Sequence, residues 1–284
     1  MESKLVIKKK PAIEESAEHR MLQRRARRLL GKEYPVPTLE NVDGVDSHEV
    51  IAGPELVTST VPLPSVTERS SKIRERILDV AELLFSRWSY TGVSIRDVTD
   101  MAETRLGNVN YYFGSKQNLY FEVLRRRAEV LAAARIEAMD AAITSDLSGA
   151  KFVEALVNAY MMPAMERSIH GGPGWRNFFQ LIGHITFSRL WPAEIMARYF
   201  NAPAEKFVAG LKDRFPEATE FQCQAASLLI VGPVIFMLAR TGRVETFSSP
   251  AFSSNDLDAL TPDTRRFVVA GVCSVMRIPY NAEA

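Results

Sequence analysis

Residues 105–113 carry the most distinctive side-chain chemistry of this sequence. Arg105, Asn108, Asn110 and Tyr111 lie there around Gly107. An arginine side chain can donate two parallel hydrogen bonds to guanine, and an asparagine amide pairs in the same bidentate way with adenine. A glycine removes a side chain where a helix has to approach a ligand closely. The segment therefore has the groups that read base edges in DNA.

A second set of groups flanks this segment and suits phosphate rather than bases. Thr91 and Ser94 precede a short helical pattern, and Tyr112 and Lys116 follow residues 105–111. Hydroxyl, ammonium and helix N-terminal N–H groups are common donors to DNA phosphates. The alternative for Lys116 is a solvated helix start. Ser94 and Asp97 also have capping-box spacing, which predicts that a helix begins at Ile95.

Three helices joined by tight turns would position these groups. Apolar residues at i, i+4, i+7 and i+8 predict a helix over Ser71–Trp88. Two shorter helices are predicted over Ile95–Ala102 and Arg105–Phe113, with Gly114 as the stop signal. Three such helices make a helix-turn-helix unit.

The third helix can be tested for separation of its faces, since successive residues are about 100° apart. This places Leu106, Val109 and Phe113 on the inner side, Gly107, Asn108 and Tyr111 on the outer side, and Arg105 and Asn110 at the flanks. Geometry alone leaves two interpretations open. The unit reads DNA through its outer face, or it is an ordinary three-helix corner whose outer face is polar.

A longer pattern in residues 77–119 adds to this geometry. Its parts are Ala81, Phe85, Thr91, Ser94-Ile95-Arg96-Asp97-Val98, Ala102, and the run Gly107-Asn108-Val109-Asn110-Tyr111-Tyr112-Phe113-Gly114-Ser115-Lys116. This stretch resembles the DNA-binding domain of the TetR family. One departure is Glu103-Thr104-Arg105, where many members have Gly-Val-Ser. The Glu103 carboxylate would face DNA or cap the turn.

The resemblance implies roles for individual residues. Base reading falls to Arg105, Leu106, Gly107, Asn108, Asn110 and Tyr111, and phosphate contacts fall to Thr91, Ser94, Tyr112 and Lys116. It also implies double-stranded DNA as the partner, with a palindromic operator, and a C-terminal domain that forms a homodimer and holds a small-molecule effector. Such a protein is a bacterial cytoplasmic regulator, a repressor released by its effector.

The remaining chain predicts an all-α fold. Further helices are expected over Lys116–Ile143, Ala150–Ser168, Trp175–Leu190, Pro192–Phe215, Thr219–Thr241 and Pro262–Met276, with Pro192 and Pro262 in first turns. We therefore divide the chain into an N-terminal extension (1–69), a three-helix helix-turn-helix DNA-binding domain (70–118) and an all-helical effector-binding and dimerisation domain (119–284).

Two C-terminal helices are apolar around most of their circumference, which requires burial on several sides. The predicted dimer interface is Leu228, Val231, Ile235, Leu238, Phe267, Val272 and Val275. The alternative is that both helices lie in the core of a monomer. The run Ala225–Ala239 is shorter than a bilayer span of roughly 20 residues and contains Gly232 and Pro233. We interpret it as a buried helix, with no membrane partner.

A concentration of aromatic and methionine side chains predicts an adaptable apolar cavity. The candidate effector pocket is Tyr160, Met161, Met165, Trp175, Phe178, Phe179 and His184. In this set His184 would orient a polar ligand atom. The same composition equally suits plain core, and a core histidine with satisfied hydrogen bonds is the alternative for His184.

Composition and motifs exclude several classes of protein. The net charge is +1, so whole-chain charge does not indicate nucleic acid. Cys223 and Cys273 lie far apart, which excludes a disulfide scaffold and a cysteine zinc site and favours a reducing compartment. No Gly-x-Ser-x-Gly, HExxH or phosphate-loop motif occurs. We therefore expect neither catalysis nor a cofactor or metal.

The N-terminal extension has a divided charge. Residues 1–32 hold ten basic and four acidic residues, and residues 33–69 hold seven acidic and one basic residue with five prolines. This composition predicts a linker or disordered segment. The basic cluster at residues 24–28 leaves open a minor-groove arm, or regulation through a partner that binds the extension in place of an effector.

Overall fold

The computed structural model describes residues 68–186, 197–247 and 252–281. This part of the chain is all-helical, as predicted. Its helices are α1 (Glu68–Trp88), α2 (Ile95–Met101), α3 (Leu106–Phe113), α4 (Lys116–Ile143), α5 (Gly149–His170), α6 (Pro173–Thr186), α7 (Ala202–Arg214), α8 (Glu220–Leu238) and α9 (Leu257–Val275). A π-helical turn at Ala197–Asn201 precedes α7, and a 3₁₀ turn at Val244–Thr246 follows α8. The expectations for residues 1–67 and 187–196 lie outside the described residues.

Helices α1 to α3 form the helix-turn-helix unit, and local sequence signals set its turns. Ser94 Oγ accepts a hydrogen bond from the Asp97 amide at 3.2 Å, and Asp97 Oδ2 accepts from the Ser94 amide at 2.7 Å. The predicted capping box is therefore confirmed. Gly114 ends α3 at a φ of 72°, a backbone conformation that glycine adopts without the strain a side chain would add.

The unit shares its core with the start of α4. Phe85 of α1 meets Tyr120 of α4 edge to face with ring centroids 5.0 Å apart, and Tyr90 meets the same ring at 5.2 Å. Aromatic pairs in this arrangement stabilise a packed core beyond the area they bury. The buried apolar residues of the unit are Ile77, Leu78, Ala81, Leu84, Phe85, Val93, Val98, Ala102, Val109 and Phe113.

Helix α4 connects this unit to the C-terminal part of the chain. It packs against α1, and it also packs against α5 and α7. Helices α8 and α9 pack on each other and on α5, while α6 packs against both α1 and α8. The helix-turn-helix unit is therefore held by two helices of the C-terminal part, α4 and α6.

A buried carboxylate ties α1 to these two helices. Glu82 in α1 is 2% exposed, and its carboxylate accepts hydrogen bonds from Arg126 and Arg127 of α4. The Arg127 guanidinium also lies over the Trp175 ring of α6, 5.3 Å from its centroid. Charge pairing and cation–π contact thus fix the three helices at one junction.

Two helices of the C-terminal part are present but differ in detail from the prediction. Helix α9 begins at Leu257, because the Asp256 carboxylate caps it by accepting from the Ala259 amide at 3.1 Å. Pro262 therefore lies inside α9 rather than in its first turn. Within the range predicted as one helix from Pro192, the described residues form a π-helical turn and then α7, with Pro203 in the first turn of α7.

Candidate nucleic-acid interface and ligand cavity

Helix α3 turns one edge inwards and leaves the other in solvent. Val109 and Phe113 are buried and hold the helix against α1 and α2. The opposite edge exposes Arg105, Leu106, Gly107, Asn110 and Tyr111. Tyr111 is 62% exposed, so its phenol is available to a partner. The face offers a guanidinium, an amide, a phenol and an apolar side chain on one short, anchored helix.

Leu106 departs from the predicted separation of faces. It was placed on the inner side with Val109 and Phe113, but it is 46% exposed. By angle Leu106 lies within about 20° of the buried Phe113, so its exposure comes from its place as the first residue of α3, at the end of the helix. Its exposure matches the base-contacting role that the family resemblance implies, because an apolar side chain can contact the thymine methyl group.

Asn108 is less free than the sequence indicates. The side chain is half-buried, and its amide nitrogen donates a hydrogen bond to Thr104 Oγ1 at 2.6 Å. This bond joins α3 to the turn before it. Bidentate pairing of Asn108 with adenine would have to compete with this contact, whereas Asn110, two residues further along α3, is exposed.

The four predicted phosphate groups have different surroundings. Thr91 is exposed, with its hydroxyl 3.4 Å from Ser89 Oγ. The Ser94 hydroxyl donates to Asp97 Oδ2 at 2.8 Å, so it is already used within the capping box. The Tyr112 hydroxyl lies 2.6 Å from Ser70 Oγ of α1. Thr91 is thus the hydroxyl of this set most open to a new partner.

Lys116 is held at the start of α4 by an aromatic ring. Its ammonium lies over the Tyr90 ring, 4.1 Å from the centroid. Partial burial lowers the pKa of Lys116, and the Asp97 carboxylate opposes that shift. A phosphate at the same place would also favour the charged ammonium. The side chain is therefore more constrained than a solvated helix start.

Glu103 occupies the turn between α2 and α3 in a left-handed conformation, with a φ of 48°. Glycine adopts this conformation more readily than any other residue. Arg76 of α1 supports the turn, because its Nη2 donates to the Glu103 carbonyl at 3.0 Å. The Glu103 side chain is largely exposed, and its carboxylate lies 3.9 Å from Arg76 Nη1. The carboxylate thus pairs loosely with α1 and caps no helix in the contacts described.

One candidate phosphate contact was missed in the sequence. Arg96 is exposed in the first turn of α2, two residues after the capping Ser94. The sequence signal that could have identified it is a basic residue in the first turn of the helix that precedes the reading helix. No three histidine, cysteine, aspartate or glutamate side chains within the described ranges are grouped to hold a metal ion.

A cavity of about 250 Å³ lies in the C-terminal part, enclosed by residues of α4 to α8 and the π-helical turn. Three predicted pocket residues line it, namely Tyr160, Phe178 and Phe179. The other lining residues are Leu131, Arg135, Ile182, Thr186, Phe200, Asn201, Ala204, Val231, Val234, Ile235 and Leu238. The lining is therefore mostly apolar, with one cationic side chain.

The other predicted pocket residues do not line this cavity. Met161 and Met165 are fully buried in the core of the subunit. Trp175 lies between two guanidinium groups, 5.3 Å from that of Arg127 and 5.4 Å from that of Arg167. These side chains pack in the protein interior. Sequence composition alone does not distinguish an aromatic or methionine residue of the core from one that lines a cavity.

His184 does not line the cavity and instead forms a hydrogen bond with the backbone of α1. Its Nε2 lies 2.8 Å from the backbone oxygen of Ser86 near the end of α1, so the protonated nitrogen donates to that carbonyl. Next to it, a side-chain carbon added at Gly183 would lie 2.8 Å from the Ala239 Cβ, which shows how closely α6 approaches the end of α8. His184 thus links α6 to the helix-turn-helix unit.

An apolar face formed by α8 and α9 is exposed. Leu228 is 71% exposed, Phe267 is 67% exposed, and Phe221, Leu229 and Phe236 are exposed with them. Of the remaining residues predicted for a dimer interface, Val275 is half-buried. Val231, Ile235 and Leu238 line the cavity, and Val272 is buried in the subunit core.

Helix α8 was expected to be buried, and this is only half correct. Its inner face buries Cys223, Ala226, Ile230, Val234 and Leu238, while its outer face is open. Among the described helices it is long and apolar enough to cross a membrane by length and composition. Only 28% of that stretch is buried, so the exposure of its outer face needs an explanation.

Comparison with known families identifies both halves of this architecture. Residues 77–123 match the family described as "Bacterial regulatory proteins, tetR family". Residues 158–271 match the family described as "Tetracyclin repressor-like, C-terminal domain". Together the two matches cover more than half of the chain. The chain belongs to the TetR family. The first TetR match contains α2 and α3 with their turns, and the second contains α6 to α8.

Individual TetR-family proteins resemble it more distantly. QacR, an HTH-type transcriptional regulator from Staphylococcus aureus, is 33% identical over 52 residues, which is 18% of this chain and 28% of QacR. The chain thus matches about a quarter of that relative's length. KstR2 of Mycobacterium tuberculosis, a ketosteroid transcriptional regulator, is 15% identical, with 73% of this chain and 95% of KstR2 covered and a TM-score of 0.46. GusR of Salmonella enterica is 15% identical, with 75% of this chain and 98% of GusR covered and a TM-score of 0.48.

Proposed function

We propose that this TetR-family chain is a sequence-specific DNA-binding transcription regulator that reads the major groove with α3. The observation that carries the proposal is the exposed face of α3, with Arg105, Leu106, Gly107, Asn110 and Tyr111 on one anchored helix. The major groove is about 12 Å wide and admits one α-helix. Burial of Val109 and Phe113 keeps α3 rigid, so its outer side chains are pre-ordered for base edges.

Phosphate contacts around the reading helix are the second part of the proposal. Thr91, Tyr112 and Lys116 keep the roles implied by the family resemblance, and Arg96 joins them. Ser94 acts chiefly through α2, because its hydroxyl stabilises the capping box. Contacts of this kind fix the register of a protein on the duplex and make its affinity depend on salt.

Dimerisation through the outer face of α8 and α9 is the third part. An exposed, continuous apolar face usually marks an interaction surface. A two-fold axis would bring the same face of two subunits together, with Leu228 and Phe267 in the buried area. The resulting four-helix interface would set two copies of α3 at the spacing that a palindromic operator requires.

A membrane is a poorer explanation for the exposed face of α8. Its inner face packs on α9, α7 and α6 through Cys223, Ile230 and Val234. A helix that crossed a bilayer would have to leave this core and lose the apolar contacts that hold the C-terminal part together. A second subunit covers the outer face without disturbing the inner one.

Release by a small-molecule effector is the fourth part, and the geometry offers a route. Phe178, Phe179 and Ile182 of α6 line the cavity, while α6 also contacts α1 through His184 and Ser86. A ligand that binds one arrangement of α6 more tightly than another would shift α1 and, with it, α3. Operator binding and ligand binding would then oppose each other.

The DNA-binding proposal is tested by Gly107→Ala. An added Cβ at this position meets no atom within 4 Å, and alanine favours a helix, so folding should be unchanged or stabilised by up to about 1 kcal/mol. The methyl group should nevertheless weaken DNA binding by roughly tenfold, or about 1.4 kcal/mol, because it would occupy space where the helix approaches the duplex most closely. Fluorescence anisotropy on a duplex enriched from a randomised library measures the affinity, and urea unfolding measures the stability.

The matched control is Asp213→Ala on the exposed side of α7. It also raises helix propensity, but far from α3 in the chain, and it should leave DNA affinity unchanged. If Gly107→Ala binds DNA as tightly as the unmodified protein, α3 does not approach the duplex at Gly107 and the proposed docking is incorrect.

A further inference from the structure

Arg135 is a buried cation in the wall of the apolar cavity. It lies on α4 and is 7% exposed. Its Nε donates to the backbone oxygen of Tyr160 at 2.8 Å, and its guanidinium lies over the Tyr160 ring, 4.3 Å from the centroid. These contacts use one of its five N–H groups and fix the plane of the guanidinium.

The charge of Arg135 has no counter-ion in the described part of the chain. No aspartate or glutamate there lies within ion-pair distance of it, and no hydrogen bond of its two terminal nitrogens is present among the described residues. Burial lowers the pKa of Arg135; Tyr160 opposes this shift, and the positive charge of Arg167 adds to it. A buried charge without a partner is costly, so its retention needs a reason.

A purely structural role explains only part of this arrangement. Helix α5 contains Pro163, and the bond from Arg135 Nε reaches a carbonyl one turn before that proline. A neutral donor would satisfy the carbonyl without bringing a charge into an apolar wall. Among the described residues the terminal nitrogens and the charge therefore have no partner, and they are available to a molecule that occupies the cavity.

We propose that the cavity binds a hydrophobic carboxylate, with the carboxylate on Arg135 and the apolar body between Phe178, Phe179 and Phe200. This rests on the proposed effector function of the cavity. A guanidinium donates two parallel bonds to a carboxylate, and the aromatic rings suit an aliphatic or aromatic body. Among the described lining residues Arg135 is the one cation, which matches a single negative charge rather than a phosphate dianion.

The cavity volume limits the size of the ligand. At about 250 Å³ it lies below the range of roughly 300–1,000 Å³ that is usual for drug-sized molecules. A small monocarboxylic acid is therefore the expected class. The polar Thr186 and Asn201 in the lining allow one further hydrogen bond to such a ligand.

The test compares 4-phenylbutanoate with 4-phenylbutan-1-ol, which share an apolar body and differ in charge. Calorimetry on the full chain should show the acid binding at least tenfold more tightly than the alcohol. Arg135→Met should remove this preference, because a methionine fills the space without a charge. Lys206→Met is the control, since Lys206 lies on α7, pairs with Asp140 of α4 and is not among the lining residues of the cavity. It should keep the preference.

Equal binding of acid and alcohol by the unmodified protein, or an unchanged preference in Arg135→Met, would overturn the proposal. Absence of binding by both probes would also count against it. The free energy of unfolding can be compared without any ligand. If the charge of Arg135 serves a ligand and not the fold, Arg135→Met should be at least as stable as the unmodified protein. Marked destabilisation would indicate a structural role instead.

Operator binding separates this proposal from the effector function on which it rests. If the acid binds through Arg135 but does not weaken DNA binding, the carboxylate site stands and the effector function is incorrect. If acid and alcohol release DNA equally well, the effector function stands and the carboxylate preference is incorrect.

Discussion

Leu228→Asp is expected to dissociate the proposed dimer. Leu228 is 71% exposed within one subunit, so folding of the subunit should change by less than about 0.5 kcal/mol. In a two-fold interface the substitution occurs twice, and burying an unpaired carboxylate there should weaken association by roughly 100-fold or more. Sedimentation velocity over a range of protein concentrations measures this. Operator affinity should fall with it, since the two reading helices are no longer linked.

Phe247→Asp is the matched control, because Phe247 is 75% exposed but lies after the 3₁₀ turn, outside α8 and α9. It should leave the association state unchanged. A Leu228→Asp protein that sediments as the unmodified protein does would show that the outer face of α8 is not the subunit interface.

Glu82→Gln is expected to have the largest effect on stability. Glu82 is 2% exposed and pairs with Arg126 and Arg127. The neutral amide removes the carboxylate that Arg127 pairs with, and it leaves Arg126 with only the more exposed carboxylates of Asp79 and Glu75. Removing one partner of a fully buried pair costs about 3–5 kcal/mol. Both arginines are about one-fifth exposed, so we expect about 2 kcal/mol and a fall in Tm of roughly 4–8 °C. Thermal unfolding by circular dichroism measures it.

Asp79→Asn is the control, because it removes an exposed ion pair with α4 and so shows whether the effect of Glu82→Gln depends on burial. Asp79 also pairs with Arg126, at 2.7 Å, but its side chain is 67% exposed. Exposed pairs contribute at most about 1 kcal/mol, so the Tm should hardly change. Equal effects of the two substitutions would mean that burial of Glu82 does not set the strength of the junction.

The elements of the helix-turn-helix unit could be predicted because local signals agree there. Ser94 and Asp97 specify the start of α2 and Gly114 specifies the end of α3, whatever the rest of the chain does. The outer position of Tyr111 follows from helical periodicity in the same way. The exposure of Leu106 could not be predicted in this way, since periodicity gives an angle around the helix and not the distance to the next helix.

The contacts of the C-terminal part depend on packing, which periodicity does not describe. Helix α8 is apolar all round, so no pattern showed that Leu238 faces the core and Leu228 faces outwards. For the same reason, the composition of the pocket did not separate Phe178, which lines the cavity, from Met161, which does not. Arg135 did leave a signal, because it falls four residues after Leu131 and four before Met139 on the buried face of α4.

Selection of bound sequences from a randomised duplex library shows directly whether α3 reads DNA. It should compare the unmodified protein with the double variant Arg105→Ala and Tyr111→Ala. Arg105 at the N-cap of α3 and Tyr111 on α3 are both exposed, so the variant should fold normally. We expect the unmodified protein to enrich an inverted repeat and the variant not to do so, because direct base contacts contribute about 1–3 kcal/mol each. Enrichment of the same repeat by the variant, or of no sequence by the unmodified protein, would contradict reading of DNA by α3.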